Sequence, residues 1–394
     1  LPQGVFNSKT LYEILKVFFT DEEAKLCSVM PLHLSTAREM AKIWGKSKEE
    51  ARDILEKLAN KSLVYAEGKG DARKYFLSYP VMGFFEFSLM RLDNMFDKKK
   101  LSELFYKYMN LENEFVKNYS KLYPHFARVY PRADALKDIT TEVVHYEKIE
   151  KMIADSFCIA VGTCFCRHKM EHMGMACDAP QETCLTFDTI ARHLVEQGIA
   201  REISKEEALK IVKKAIDHDL VQIADNVKQS PAMVCNCCGC CCDVLLAYKK
   251  FGPNALINPS HYIARVHNET CIVCGTCIRK CPVNAISIKK GKVVVDRKIC
   301  IGCGICARHC PTGSCRMEER PKKGYIPEQT IERVAMLAVS TGKVGNFLFD
   351  DQTSHLHAIL RNIVNWALGF YPIKKILLIP SVIKLALKAL NKNG

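Results

Sequence analysis

The sequence predicts an α+β chain, mainly helical and divided into several domains. Three observations carry this. The 394 residues exceed the roughly 100 to 200 that one domain uses. Amphipathic patterns with helix-capping signals fill the N-terminal third and the tail, while strand patterns are short and few. Twenty-one cysteines fall almost entirely into two dense fields. With 48% hydrophobic and 25% charged residues the composition is near the globular average, which excludes wholesale disorder and a multi-span membrane protein.

Residues 1–80 form the first unit. From Ser35 the chain reads as a short helix, a Gly turn, a second helix from Ser47 to about Asn60, then strand, Gly-rich turn and strand. Over residues 8–80 this resembles a winged helix-turn-helix, which implies a surface able to enter a DNA groove. The charge of the second helix argues against that use. Lys46, Lys48, Arg52, Lys57 and Lys61 are nearly cancelled by Glu49, Glu50, Asp53 and Glu56, whereas DNA affinity depends on net phosphate neutralisation. A docking or structural module is the simpler reading. Residues 81–150 continue as helices, with Phe84, Phe85, Phe87, Met90, Leu104, Phe105 and Tyr108 at mostly helical spacing as core or interface.

Residues 151–262 read as a cysteine-rich helical domain with a further metal centre. One patch carries Cys164, Cys166, Cys177 and Cys184; the other, MVCNCCGCCCDVL, carries Cys235, Cys237, Cys238, Cys240, Cys241 and Cys242. Neighbouring cysteines on one strand cannot bridge each other without strain, so thiolate ligation is the better account. Two helices between the patches, about Phe187 to Gln197 and one opened by Ser204 with Glu207 three positions on, could fold as a hairpin that unites them. In an extended segment Cys235 and Cys237 would face one way and Cys238, Cys240 and Cys242 the other, giving two ligand sets. One or two additional iron-sulfur clusters are expected, with zinc as the alternative ion and packed reduced thiols as the plain one. His168 and His172, four apart beside Cys166, could add nitrogen ligands, and Arg167 could neutralise cluster charge, although ordinary buried histidines need no such role. The CCG at 237–239 resembles the signature of noncubane clusters in heterodisulfide reductases. No second copy and none of that family's long spacings occur, so its catalysis is not carried over.

Residues 263–320 contain CIVCGTCIRKCP and CIGCGICARHCP, both C-x2-C-x2-C-x3-C-P. From about Asn268 to Met317 the chain closely resembles a two-cluster bacterial ferredoxin, a small βαββαβ-derived fold. The resemblance implies two [4Fe-4S] clusters with crossed ligation: Cys271, Cys274, Cys277 and Cys310 for one, Cys300, Cys303, Cys306 and Cys281 for the other. AISIKKGKVVVD between the runs reads as two strands about a Lys-Gly turn.

Residues 321–394 form a basic, apolar helical tail. No acidic residue follows Asp351, and the longest uncharged run, Asn362 to Ile373, is shorter than the ~20 apolar residues of a spanning helix. Peripheral contact with an anionic membrane and wrapping of a partner subunit are both open. The net charge of +14 does not choose between them.

The start of the chain has no secretory-signal pattern and the thiols suit a reducing compartment, so the expected location is cytoplasmic, with the membrane's inner face as an option. No nucleotide, flavin or nicotinamide fingerprint and no catalytic constellation is visible. The expected function is single-electron transfer in an anaerobic oxidoreductase system, within a hetero-oligomer with ferredoxin or flavoprotein partners. Its rivals are a redox-sensing transcription regulator and an oxidoreductase binding substrate at the CCG-containing cluster.

Overall fold

The computed structural model describes residues 6–136, 149–253 and 256–391. Residues 137–148 of the expected helical region and the last three of the tail lie outside them.

The first unit is built on local signals. Helices Asp21–Ser28, Ala37–Trp44 and Lys48–Asn60 each open with a reciprocal capping box, Thr20 with Glu23, Thr36 with Glu39 and Ser47 with Glu50. Strands β1 (Ser35–Thr36), β2 (Val64–Glu67) and β3 (Lys74–Leu77) pair antiparallel in the order β1-β3-β2. Of the aromatic positions that follow, Phe84, Phe85, Phe105 and Tyr108 are buried with Met90, while Phe87 and Leu104 are half-buried. Phe18 meets Phe84 edge-on at 5.2 Å and Phe85 meets Phe105 at 5.0 Å, tying the N-terminal helices to this layer.

The chain is mixed α/β, with helix the larger share, and its centre carries a sheet that the helical reading of residues 151–262 did not include. Strands β4 (Ala127–Tyr130), β5 (Ile159–Thr163), β6 (Glu182–Phe187), β7 (Arg201–Glu202), β8 (Val221–Asp225), β9 (Met233–Cys237) and β10 (Ile257–Asn258) form one seven-stranded sheet, ordered β10-β4-β8-β9-β6-β5-β7. Only the β10–β4 pair is parallel. Every residue of β4, β5 and β8 is buried, so these strands lack the alternation that marks a half-exposed strand. The two expected helices do exist, at Asp188–Glu196 and Lys205–Asp217, the second capped by Ser204 accepting from the Glu207 N–H. They flank the sheet. The cysteine patches are brought together by β6 running beside β9, where Leu185 pairs with Val234, and not by a helical hairpin.

Beyond it, β11 (Tyr262–Val266) pairs antiparallel with β14 (Cys315–Glu319), and β12 (Ile286–Lys289) with β13 (Lys292–Val295). Lys290 and Gly291 both take positive φ, 50° and 73°, as a tight hairpin turn demands. This unit docks on the central sheet through charge. Asp219 accepts from Lys280 at 2.7 Å and lies 2.6 Å from His309, while buried Arg132 donates its backbone N–H to the Cys303 carbonyl and its guanidinium to Asp219. Helices Thr330–Thr341, His355–Gly369, Tyr371–Leu377 and Pro380–Asn391 close the chain. No described helix is long and apolar enough to cross a membrane.

Candidate metal centres

The two regular cysteine runs wrap two separate small cavities of about 20 Å³ each. Cys271, Cys274, Cys277 and Cys310 line one; Cys281, Cys300, Cys303 and Cys306 line the other. The fourth cysteine of each run thus faces the first three of the other, the geometry that crossed ligation needs. Backbone amides already point at sulfur, Ala285 N–H to Cys281 Sγ and Cys315 N–H to Cys310 Sγ, both 3.2 Å. Such bonds stabilise a thiolate and suit a cluster's negative charge. Gly302 has a specific reason. At φ 72° a Cβ there would lie 2.2 Å from Ser260 Oγ and from the Tyr262 carbonyl oxygen, so only glycine lets this turn sit on β11. Cys315, outside the repeated spacing, also lines the first cavity, and its hydrogen bond with Cys306 contributes most to raising that thiol's pKa.

The second field divides in two. Cys164, Cys166, Cys184, Cys235, Cys237 and Cys242 all line one apolar chamber of about 280 Å³ that extends past Phe115, Tyr119 and Met90 to Arg333. Cys177, Cys238, Cys240 and Cys241 converge elsewhere, with their four sulfurs within 4.8 Å of one another. The expected alternation fails after Cys237. There β9 ends and the chain turns through Gly239, so Cys242 swings back to the side of Cys235 and Cys237. The CCG triplet therefore straddles two sites. Cys177 reaches the second group from the loop after helix Phe165–His172, away from Cys164, Cys166 and Cys184.

Charge is arranged around both groups. In the chamber, hydrogen bonds from Cys166 and Cys237 bring the Cys242 thiol down to about 5, and bonds from Cys184 and Cys237 lower Cys235. Burial pushes Cys164 up to about 12. A hydrogen bond from Cys241, helped by Arg167, brings Cys238 down to about 4. Arg167 is buried between the groups: it donates to the Asn236 carbonyl at 3.0 Å, to Thr183 Oγ1, and at 3.9 Å to Cys238 Sγ, and it also feels Cys164 and Cys237. Buried Lys169 pairs with Asp243, whose other oxygen accepts from Cys166 at 3.7 Å. Sequence reading passed over this pair, because nothing in the spacing of 169 and 243 joins them.

His168 and His172 take no part in either group. Their Nε2 atoms lie 3.1 Å apart and His168 Nδ1 meets the Leu89 carbonyl. Cys158 is buried beside Ala160 and Ala191, and Cys27 lies in the N-terminal core, where burial raises its thiol to about 12.

Residues 270–328 match the family described as 4Fe-4S dicluster domain. The comparisons with curated proteins and with solved structures return no match. The chain thus contains a ferredoxin-type iron-sulfur domain, and its thiol fields suit iron-sulfur electron transfer.

Proposed function

We propose that the chain is a multi-cluster electron-transfer protein, a subunit or accessory protein of an anaerobic oxidoreductase system that exchanges electrons with ferredoxin or flavoprotein partners. Two observations carry this reading: the eight ferredoxin cysteines line two cavities, and the Gly239 turn of the second field packs directly on Pro282, next to Cys281. Iron-sulfur clusters, where bound, take up and release single electrons over a wide span of potential. The chain's own role is to hold thiolates, donate amide hydrogen bonds to them and keep water out. The six chamber thiols fit a further cluster, since they converge on one cavity with Arg167 as counter-charge.

Iron and sulfide analysis of anaerobically purified protein tests it. About eight irons would restrict clusters to the ferredoxin pair, and about twelve or more would support the chamber. Cys184→Ser with Cys235→Ser should then lose iron without disturbing the ferredoxin pair.

The size of the chamber favours a second reading, an oxidoreductase with substrate beside that cluster. It holds about 280 Å³ against about 20 Å³ at each ferredoxin site. A change in the chamber cluster's EPR signal on adding a small thiol or acyl compound would support it. The regulator reading loses ground. If the first unit is a winged helix, its second helix is neutralised, with Lys48 at 2.7 Å from Asp71 and Arg52 also on Asp71. The β2 edge is covered as well, because the Ala66 N–H reaches His193 Nδ1 at 3.4 Å.

For the tail, an anionic membrane surface is the favoured partner. Leu356, Ile359, Ile363, Trp366 and Phe370 are all more than half exposed. At 3.6 residues per turn they share an arc roughly 80° wide, on the side of the helix away from Asn365. Asn365 faces inward, accepting from the Gly345 N–H at 2.7 Å. Lys374, Lys375 and Lys388 accompany this stripe with no acid among them. Two copies stacked on this face would oppose like charges, whereas anionic headgroups match them.

A further inference from the structure

We infer that Cys177, Cys238, Cys240 and Cys241 hold a single tetrahedral zinc ion, separate from the iron-sulfur cluster of the six-thiol chamber. This deepens the electron-transfer reading, on which it rests only for the chamber's cluster.

The argument is one of sulfur spacing. Four thiolates on one zinc at about 2.3 Å stand at the corners of a tetrahedron whose edge is about 3.8 Å. Here Cys177 Sγ lies 3.6 Å from Cys238 Sγ and Cys241 Sγ lies 3.8 Å from Cys240 Sγ, with all four inside 4.8 Å. In a cubane each thiolate binds a different iron at a different corner, so its sulfurs stand much further apart.

The ferredoxin domain provides the control within the same molecule. Its two sets of four cysteines line cavities, yet neither brings three sulfurs within 4.8 Å of one another. The six thiols of the chamber bond to one another only in pairs, and no three of them stand within 4.8 Å of one another. Among the described residues Cys177, Cys238, Cys240 and Cys241 alone converge in this way.

Chemistry and position agree with a closed structural site. All four donors are protein thiols, with no open position of the kind catalytic zinc keeps. Two negative charges would remain on a zinc tetrathiolate. Arg167 stands 3.9 Å from Cys238 Sγ, and Lys249 donates to the Gly239 carbonyl at 2.6 Å. The ion would fasten the Cys238–Cys242 turn to the Cys177 loop and so fix the face of Gly239 that meets Pro282.

Zinc and iron counts on the full chain, purified without oxygen, decide the matter. One zinc per chain beside about twelve irons is expected, and zinc-edge X-ray absorption should show only sulfur neighbours at about 2.3 Å. Cys238→Ser with Cys241→Ser should remove the zinc and leave iron and dithionite-bleachable absorption unchanged. Cys184→Ser with Cys235→Ser should do the reverse. Wild-type protein with about sixteen irons and no zinc would overturn the assignment, as would loss of iron from the Cys238 and Cys241 variant. The absorption measurement needs no variant, so a misfolded mutant leaves the inference exposed to test. Absence of bleachable absorption from the wild type would instead defeat the electron-transfer reading and leave the zinc count standing by itself.

Discussion

Gly239 meets Pro282 backbone against backbone: a Cβ on Gly239 would lie 2.6 Å from the Pro282 carbonyl oxygen and 3.1 Å from its Cα. Cys238 and Cys240 flank the glycine, and Cys281 precedes the proline. One contact thus joins the second cysteine field to a cysteine that lines a ferredoxin cavity. Gly239→Ala has no side chain to push aside and must force the main chains away from each other. Overpacking of this kind costs about 1 to 3 kcal/mol. The variant should lose visible absorption at a lower temperature than wild type, and an unchanged thermal transition would show that the two backbones are not held together.

The buried histidine on the β2 edge makes stability depend on pH. His193 accepts from Ala66, lies 4.9 Å from the Tyr65 ring, and is brought by burial to a pKa of about 4 from 6.5. The folded form therefore resists a proton that the unfolded chain accepts. Its contribution is full above pH ~6.5 and is lost as pH falls toward ~4, amounting to about 3 kcal/mol. Urea midpoints at neutrality and near pH ~4.5 should differ less for His193→Gln than for wild type. Equal pH dependence in the two proteins would rule this histidine out as the cause.

Lys169 and Asp243 are both almost wholly inaccessible and pair beside Cys242. Lys169→Met leaves the carboxylate buried and short of a partner, a change that typically costs about 3 to 5 kcal/mol. Adding Asp243→Asn should recover most of it. Chemical denaturation of the two single variants and the double variant checks this, and additive losses would mean the pair is not coupled.

The tail offers its own reporter, because the chain has two tryptophans. Trp44 is tied to the Leu26 carbonyl at 3.0 Å, while Trp366 is 83% exposed. In a Trp44→Phe background, vesicles containing phosphatidylglycerol should shift Trp366 emission to the blue, and phosphatidylcholine alone should not. Lys374→Glu with Lys375→Glu should weaken binding about tenfold or more. A lipid-free dimer that Trp366→Ala converts to monomer would show that a second copy covers the stripe.

What the sequence disclosed follows how local each signal is. The ferredoxin cavities were legible because three cysteines separated by two residues each, and a fourth followed by proline, define one turn and one departure, with little help from the rest of the chain. The helix opened at Ser47 was legible in the same way, and its capping box with Glu50 is equally local. The central sheet was hidden, since β4, β5 and β8 are four or five residues long and buried on both faces, a pattern a buried helix shares. The division of the six adjacent cysteines was hidden for another reason. Alternation holds only while the strand lasts, and β9 ends at Cys237, in the middle of the run.

Arg167 gives the second field a property that neither thiol group has alone. Its guanidinium touches Cys238 on one side and is felt by Cys164 and Cys237 on the other. Were both thiol groups to hold their metals, this single cation would stand between two anionic neighbours and could not attend fully to both. Negative charge gained on the chamber side draws on the same guanidinium that steadies Cys238, so the two halves of the CCG triplet remain one electrostatic unit although their sulfurs face apart.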